Sequence, residues 1–511
     1  MGALLPLAVA NGQSVPSTNN LPVLGDTARA DLSPVLERKI GEEIMHDIRR
    51  NKDYLDDAPI LEYLNNFGAT LLSAVPGGRG ETNADFVFFA VRDPMLNAFA
   101  MPGGFIGVHS GLVIAAQTES ELASVMSHEI GHVTQRHIAR QIGKQSENAL
   151  IPLAAMVLAG LAAKSSTDAA MGVLMGGQGL AIQRQLDFSR EAEREADRVG
   201  FQIMGNAGFD TTGMVAFFGR MQTASRMYSD AMPAYLRTHP LTTERISDIQ
   251  ARIREAPKSE RADSMDFHLV RARLRVLQDE TSGGMGATEI AFKDQLATEG
   301  RAQQASAQYG LAVLALRRGQ LALAQEWLDK ARATLRPKSQ RGVFSASAPV
   351  VGDGEAILTS LALEIKLAPR QTRELMLQGL QEAEQAHARY PLSRGIARQY
   401  ADAMIANGKL DDAVRFLREQ VQQYREEAKL HELLAKTYAA QGKQALQHLS
   451  LAESYALSGG VMGALDQLAL ARKAKDASFY DLAIIDARER ELQARRREAL
   501  KERGEDDDER R

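Results

Sequence analysis

The feature that most constrains this chain is the segment His128-Glu129-Ile130-Gly131-His132. Histidines four residues apart lie on one face of a helix, so both imidazoles can reach the same metal ion. Apolar residues at helical spacing in 119–126 predict that the segment is helical. Glu129 lies beside the pair and can take a proton from the attacking water, as in hydrolytic zinc sites. The motif therefore predicts zinc ligands at His128 and His132 and a general base at Glu129, although two surface histidines on an ordinary helix would give the same letters.

A catalytic zinc ion takes a third protein ligand and keeps one position open. The chain has no cysteine, so that ligand must be a histidine or a carboxylate. Residues 189–197, with the sequence S-R-E-A-E-R-E-A-D, have a helical composition and carry several acids. Glu193 and Asp197 share one helix face, so one can bind zinc while the other orients a ligand histidine. A solvated helix face whose acids pair with neighbouring arginines explains the same pattern, and the residues alone leave the choice open.

The two motifs together, H-E-x-x-H and S-R-x-x-E-x-x-A-D, resemble the gluzincin peptidases related to HtpX and the CAAX prenyl protease. The resemblance implies that Glu193 is the third zinc ligand, that Asp197 supports the ligands from behind, and that each chain binds one Zn²⁺. Residues 97–108 resemble the strand beside the family's cleft, which is thought to hold substrate by β-augmentation. Without the resemblance, this segment predicts only a turn at 102–104 between apolar residues.

A further match lies at 238–245, with the sequence T-H-P-L-T-T-E-R. It resembles the family's histidine and arginine, six residues apart, that line the cleft and stabilise the developing oxyanion, which implies catalytic roles for His239 and Arg245. In soluble relatives that histidine can instead fill the fourth zinc position, which would give a closed, autoinhibited site. The sequence leaves open whether His239 assists or inhibits catalysis.

Two other histidine segments carry less weight. His137 follows His132 by five residues, which on a continuous helix turns it about 140° away from the metal face. We therefore expect His137 at the surface. His431-Glu432 begins like the zinc motif but has no second histidine, so we expect it to belong to an ordinary helix.

Composition excludes some classes of function. A length of 511 residues allows two or three domains, and 44% hydrophobic with 25% charged residues is typical of globular proteins with an ample core. The net charge of −4 and the lack of an extended basic face give no indication of nucleic-acid binding. Without cysteine the chain forms no disulfide and uses no thiol catalysis.

The first residues indicate a compartment. Residues 3–10, with the sequence A-L-L-P-L-A-V-A, are apolar and end in an A-x-A pattern before Asn11, which resembles the end of a secretory signal. A basic start is missing, so either the sequence begins partway through the signal or the match is accidental. We take residues 1–10 as the remnant of a signal, which predicts export.

Two segments lie between the zinc-ligand helices. The apolar run 149–163 is about fifteen residues long, short of the ~20 that span a bilayer, so we expect a helix at the cleft or at a membrane surface. Transmembrane segments occupy this position in the membrane-embedded relatives that the family resemblance suggests. Residues 171–179 are rich in glycine and methionine, which fits a lid over the site and a plain flexible connection equally well.

From about residue 265 the chain becomes rich in alanine and leucine, with little strand signal. Gly408 and Gly442 each follow a helix, and their separation equals the period of tetratricopeptide repeats, about 34 residues. Gly319 gives a partial match. A plain helical bundle would share the alanine content. The spacing favours about four degenerate repeats, which form surfaces that bind peptides or partner proteins.

The predicted fold is mostly α: a gluzincin metalloprotease domain at 25–260 with a small β-sheet at the cleft, an α-solenoid of tetratricopeptide repeats at 265–500, and a charged tail at 501–511. This order resembles the β-barrel assembly-enhancing proteases of the Gram-negative periplasm. The resemblance implies a soluble, exported zinc endopeptidase that binds outer-membrane β-barrel precursors near their assembly machinery and degrades stalled ones, with contact at a membrane surface. The alternative is a repeat-based chaperone or adaptor whose zinc site is structural or latent.

Overall fold

The structure is a computed structural model that describes residues 32–75, 85–143, 190–227, 234–256, 259, 261–297, 300–336, 352–369 and 371–508. The expected signal remnant at 1–10, the apolar run 149–163 and the glycine-rich segment 171–179 lie outside the described residues. Within the described ranges, no helix combines the length and the apolar character needed to cross a bilayer.

The first part of the chain surrounds a small sheet with helices. The strands are β1 (Val87–Val91), β2 (Ala98–Met101) and β3 (Phe105–His109). β3 lies in the middle, parallel to β1 and antiparallel to β2, which leaves β2 at an edge. Between β2 and β3 the chain turns through Gly103 (φ 77°) and Gly104 (φ 89°), a left-handed backbone that glycine adopts without strain. The helices of this part are α1 (Pro34–Arg50), α2 (Ala58–Leu72), α3 (Ser110–Ala115), α4 (Glu119–Thr134), α5 (His137–Gly143), α6 (Arg190–Asn206), α7 (Thr212–Met227), α8 (Ala234–Thr238) and α9 (Thr243–Glu255).

Helix α4 carries the H-E-x-x-H motif and is buried along its whole length. Thr118 caps it by accepting a hydrogen bond from Glu121 N, and the Glu121 carboxylate accepts one from Gln117 N, so two donors at the helix start are satisfied. The buried Glu119 carboxylate accepts hydrogen bonds from Tyr63 Oη on α2 and from Ser264 Oγ. Because polar groups in a core need partners, these bonds fix the start of the motif helix against its neighbours.

The second part of the chain is entirely helical where it is described. Its helices are α10 (Met265–Gln278), α11 (Ser282–Gln295), α12 (Arg301–Arg317), α13 (Leu321–Leu335), α14 (Glu355–Lys366), α15 (Arg373–Arg389), α16 (Arg394–Ala406), α17 (Leu410–Gln423), α18 (Ala428–Ala440), α19 (Gln444–Leu457), α20 (Val461–Lys473) and α21 (Phe479–Asp508). The mostly α fold with one small sheet and a solenoid-like helical region is confirmed.

A regular turn links several pairs of consecutive helices in this part. Helices α16, α18 and α20 begin at Arg394, Ala428 and Val461, so their starts recur at nearly the interval that separates Gly408 from Gly442. At these two glycines the backbone is left-handed (φ 73° at both), and the next residue donates its N–H to the carbonyl five residues back, which is a Schellman end. The same turn recurs at Gly319 and Gly459. The spacing agrees with the tetratricopeptide period, and the assignment of these helices to that repeat class stays a prediction.

The two parts share one hydrophobic core, which runs from Leu55 to Ile365. Helix α10 packs on α2 and α3 and carries the buried Arg273. Its guanidinium contacts the carboxylates of Asp57, at the start of α2, and Glu364, on α14, at 2.8 and 2.9 Å. The expected domain boundary near residues 260–265 stays a prediction, but packing is continuous across it.

Two contacts farther along the chain fasten the helical part to the first helices. The Glu62 carboxylate on α2 accepts hydrogen bonds from Ser393 Oγ and from Gly395 N, at the start of α16. Arg50, at the end of α1, donates to Gly459 O at 3.1 Å. Helices α16 to α19 therefore lie between two attachment points on α1 and α2.

We expect Arg273→Met to lower the free energy of unfolding by about 2–4 kcal/mol, because it leaves two carboxylates without their partner in a largely buried site. Chemical unfolding followed by circular dichroism measures the change. Arg472→Met is the matched control, since Arg472 makes its ion pairs with Asp486 and Glu489 at the surface and should cost less than ~1 kcal/mol. Equal losses in the two variants would contradict this account of Arg273.

Asp266 gives a pH-dependent prediction. Burial raises the pKa of Asp266 from 3.8 to about 6, although its carboxylate accepts a hydrogen bond from Gly354 N. The stability that the protonated acid provides is fully present below pH 3.8 and is lost as pH rises through about 6. Asp266→Asn keeps an acceptor for Gly354 and should therefore be more stable than wild type at pH 8, by on the order of 2 kcal/mol, with a gap that narrows as pH falls toward 4.

Urea unfolding across this pH range measures the gap between Asp266→Asn and wild type. Asp279→Asn is the control. Hydrogen bonds from Thr281 lower the pKa of Asp279, so here wild type should be more stable than the variant. A gap for Asp266→Asn that is independent of pH would contradict the prediction.

Candidate metal centre

Four buried side chains bring donor atoms together: His128, His132, Glu193 and His239. One donor atom from each lies within 4.8 Å of all the others. The Nε2 atoms of His128 and His132 are 2.9 Å apart, and Glu193 Oε1 lies 3.4 Å from His132 Nε2. Nδ1 of His239 completes the set, 2.9 Å from Glu193 Oε1 and 3.4 Å from His128 Nε2. The fourth donor thus comes from the residue that directly follows α8.

The ligands meet because α4 and α6 pack unusually close together. A Cβ atom added at Gly200 on α6 would lie 2.9 Å from the backbone nitrogen of His128, closer than side chains normally approach. Opposite it on α4, a Cβ at Gly131 would lie 3.1 Å from the carbonyl oxygen of Ala196. Each helix therefore presents a glycine to the backbone of the other. Gly131 is one of the unspecified positions of the zinc motif, and its packing role is visible only in the structure.

Asp197 lies behind the donor set and holds His128. Its Oδ1 is 3.0 Å from His128 Nδ1, which directs the other nitrogen of the ring toward the cluster. Burial lowers the pKa of His128, but the bonds to Asp197 and Glu193 outweigh burial and raise it to about 9. A proton and a metal cation therefore compete for the same lone pair.

Arg245, on α9, contacts two acids of α6. Its Nε and Nη2 donate to the Asp197 carboxylate at 2.6 and 2.7 Å, and its Nη1 lies 2.8 Å from Glu193 Oε2. Burial opposes ionisation of both acids. The bonds from Arg245 and His128 nevertheless hold the pKa of Asp197 below its usual value, and the three neighbouring histidines hold that of Glu193 well below. The guanidinium thus lies behind the ligands, and its nitrogens already contact the carboxylates of Asp197 and Glu193. The oxyanion role expected for Arg245 stays a prediction, and this geometry favours a positioning role.

Glu129 faces the cluster without joining it. Its Oε2 accepts a hydrogen bond from Ala100 N on the edge strand β2 at 3.0 Å. Its Oε1 is buried, has no hydrogen-bond partner among the described residues, and lies 3.6 Å from His239 Nε2. Burial raises the pKa of Glu129, which makes its carboxylate a stronger base. This is an arrangement that a general base requires.

The expectation that His137 lies at the surface is wrong. Helix α4 ends before Arg136, which adopts a left-handed backbone (φ 52°), and α5 starts at His137 in a new direction. The His137 ring is buried, with Nδ1 2.8 Å from Nδ1 of His132 and Nε2 3.0 Å from Glu195 Oε2. The expectation fails because it assumed that one continuous helix carries both histidines.

Sequence reasoning also missed Tyr235. Its buried ring stacks on His239 with centroids 4.6 Å apart and an interplanar angle of 28°. Tyr235 precedes His239 by four positions, so helical spacing was the one sequence signal that could have indicated their contact. Tyr235 therefore helps to set the orientation of the fourth donor.

The donor set fits a divalent cation. With its Nδ1 directed to Asp197, a neutral His128 presents the lone pair of Nε2 to His132 Nε2 and to the Glu193 carboxylate. Lone pairs that converge in a buried site repel each other unless a cation or a proton lies between them. Three imidazoles and one carboxylate form the nitrogen and oxygen set that zinc takes in proteins.

We expect Gly200→Ala to separate α4 from α6 and to weaken metal binding by about tenfold or more, because misplaced ligands lose affinity steeply. Chelator competition on the purified full chain measures the affinity. Gly219→Ala on α7 is the matched control, since a Cβ there meets nothing within 4 Å. A Gly200→Ala protein with wild-type affinity would show that the close approach of the helices is not required.

Comparisons with known proteins agree with this site. The model of peptidase family M48 matches residues 71–253, which include all four donors. The β-barrel assembly-enhancing proteases of Escherichia coli (strain K12) and Yersinia pestis are each 30% identical to the chain, over 95% and 93% of it and 94% and 92% of their own lengths. A putative β-barrel assembly-enhancing protease of Vibrio cholerae is 39% identical over 50% of the chain and 51% of that protein. Since the likeness extends along nearly the whole chain, the protein belongs to the β-barrel assembly-enhancing metalloproteases of peptidase family M48.

Proposed function

We propose that the protein is an exported zinc-dependent endopeptidase that acts in the periplasm on outer-membrane β-barrel proteins and degrades misfolded or stalled precursors. The observation that carries the proposal is the buried set of His128, His132, Glu193 and His239 with the Glu129 carboxylate beside it. In this proposal residues 25–260 form the catalytic domain and residues 265–500 a repeat domain with a chaperone-like role.

His128, His132 and Glu193 would hold one Zn²⁺, which as a Lewis acid polarises the scissile carbonyl. Glu129 takes the proton of the attacking water on its free Oε1 and then delivers it to the leaving amine. The bond from Ala100 N fixes the other oxygen of Glu129, so the carboxylate keeps its orientation during both transfers.

Strand β2 offers a place for an extended substrate. Its inner side pairs with β3, while Ala100 N points the other way, toward Glu129. A peptide that added to this edge would run beside α4, which packs against β2. Main-chain hydrogen bonds would then position the scissile bond with little dependence on substrate sequence, as suits a protease that removes misfolded chains.

His239 gives the site two states. With its Nδ1 in the donor set, four protein donors are available, and four ligands close a zinc site. When His239 leaves the set, a position opens for the reaction, and its ring, 3.6 Å from Glu129 Oε1, becomes free to support the oxyanion. The proposed resting state is therefore latent. This geometry also favours the second candidate, a repeat-based adaptor whose metal site stays closed.

The proposals for partners and location rest on the named relatives and on the signal-like residues 3–10. Those relatives are named as enhancers of β-barrel assembly, which supports barrel precursors and their assembly machinery as partners. The regular recurrence of helix starts along the helical region supports a binding surface separate from the protease cleft.

The test measures zinc per chain and casein cleavage for wild type, Glu129→Gln and His239→Ala. We expect one zinc per wild-type chain, and a loss of cleavage of roughly 10²-fold or more in Glu129→Gln with zinc retained, because the amide cannot accept the proton. We expect faster cleavage in His239→Ala than in wild type, since the gain from opening the closed site should outweigh the loss of the support that His239 gives to the oxyanion.

His448→Ala is the matched control for His239→Ala, because His448 lies on α19 and bonds to Gln467, far along the chain from the donor set. A wild-type protein without zinc, or undiminished cleavage by Glu129→Gln, would contradict the proposed protease. Zinc binding with no cleavage by any variant, together with intact partner binding, would favour the adaptor.

A further inference from the structure

A chain of three side chains leads from the metal-binding set to the protein surface. His132 Nδ1 lies 2.8 Å from His137 Nδ1, and His137 Nε2 lies 3.0 Å from Glu195 Oε2. Both histidines are buried, whereas the Glu195 side chain is 20% exposed. Arg140, one turn along α5, donates to the same Glu195 oxygen at 2.8 Å. None of the three contacts is needed for the proton transfers assigned to Glu129.

The direction of these hydrogen bonds follows from the carboxylate at the end. A carboxylate only accepts, so His137 carries its proton on Nε2 and donates to Glu195. The other nitrogen of the neutral His137 ring then accepts, and His132 must supply the proton from Nδ1. That leaves the lone pair of His132 on Nε2, the atom that faces His128 and Glu193.

We propose that His137 and Glu195 are positioning residues that hold His132 in the tautomer and orientation needed to bind the metal. The inference rests on the proposed zinc site and adds to it a pair of residues to which neither sequence motif assigns a role. Metal-binding histidines generally donate their second nitrogen to a carboxylate, and here a histidine is interposed between the two groups.

The backbone is built to place this ring. Arg136 adopts a left-handed conformation that non-glycine residues avoid, and such conformations persist where the surroundings enforce them. The side chain of Arg136 is buried and donates to the carbonyl oxygen of Leu32 and to the Glu37 carboxylate at 2.5 and 3.3 Å. Contacts with Leu32 and with Glu37 on α1 thus hold the turn, and the turn places the His137 ring next to His132.

The pair completes a matched arrangement on α6. Asp197 holds His128 directly, and Glu195 holds His132 through His137. Both acids follow the ligand Glu193 on the same helix, at the second and the fourth position after it. Helix α6 therefore supplies one ligand and the anchors for both histidines of α4.

The test measures zinc affinity on the full chain by competition with a chromophoric chelator, with zinc alone as the probe. We expect His137→Phe, which keeps the ring volume but cannot bond, to lower the affinity about 10–100-fold. His137→Gln should recover most of this loss, because an amide accepts through its oxygen and donates through its nitrogen. Glu195→Gln should lower the affinity less, and the double variant His137→Phe/Glu195→Gln should lose no more than His137→Phe alone.

Substitution with Co²⁺ provides a second readout, since its visible spectrum reports the geometry of the ligands. A shifted spectrum in His137→Phe that returns toward wild type in His137→Gln is the expected result. Arg194→Gln is the matched control on α6, because Arg194 pairs with Glu191 and Glu244 at the surface, and its affinity should stay within about twofold of wild type.

Wild-type zinc affinity and an unchanged Co²⁺ spectrum in both His137→Phe and Glu195→Gln would overturn the inference while leaving the proposed protease intact. A wild-type chain that binds no zinc would instead overturn the proposed function. If His137→Phe does not fold, Glu195→Leu decides the matter, since leucine cannot accept the bond from His137 and Glu195 lies at the partly exposed end of the chain of bonds.

Discussion

The close contact between α4 and α6 is the constraint on which the site depends. Glycines at 131 and 200 let each helix touch the backbone of the other, and this distance places Glu193 opposite His128 and His132. A buried cluster of charged and polar groups is costly unless every group has a partner. Here α6 supplies those partners as well as a ligand. Small residues and paired polar groups therefore serve the same end, a rigid arrangement of the three donors on α4 and α6.

Other contacts extend this rigidity to the rest of the first part of the chain. Glu119 ties the start of α4 to α2 and to the segment before α10, and Arg136 ties its end to α1. His239 differs from the other donors, because it follows the short helix α8 and rests on Tyr235. Three donors thus lie on long helices held at several points, and the fourth directly follows a helix of five residues. That contrast is the structural basis for proposing that His239 is the donor that leaves.

Much of this organisation could be predicted from the sequence, for identifiable reasons. Two histidines and an acid at fixed spacing report their shared helix face directly, and the resemblance selected Glu193 among several acids that spacing alone could not rank. His137 escaped prediction because the left-handed backbone at Arg136 follows from contacts with Leu32 and Glu37, which lie far away in the sequence. The roles of Gly131 and Gly200 also depend on a distant partner, since a glycine in a helix does not indicate what it approaches. Local pattern predicted the elements, and long-range contact determined their exact ends and neighbours.

The two attachments of the helical part have a consequence for how the protein opens. Gly395 and Gly459 are bonded to α2 and α1, the latter across 409 residues of chain. The start of α16 and the end of α19 are therefore held, and we expect this group of helices to open as a larger cooperative unit and not by fraying from those two ends. Helix α21 lies beyond the second attachment and packs mainly on α20 and α19. Amide exchange should therefore be faster in α21 than in the helices between the attachments, so α21 can rearrange around a partner at a lower cost than those helices.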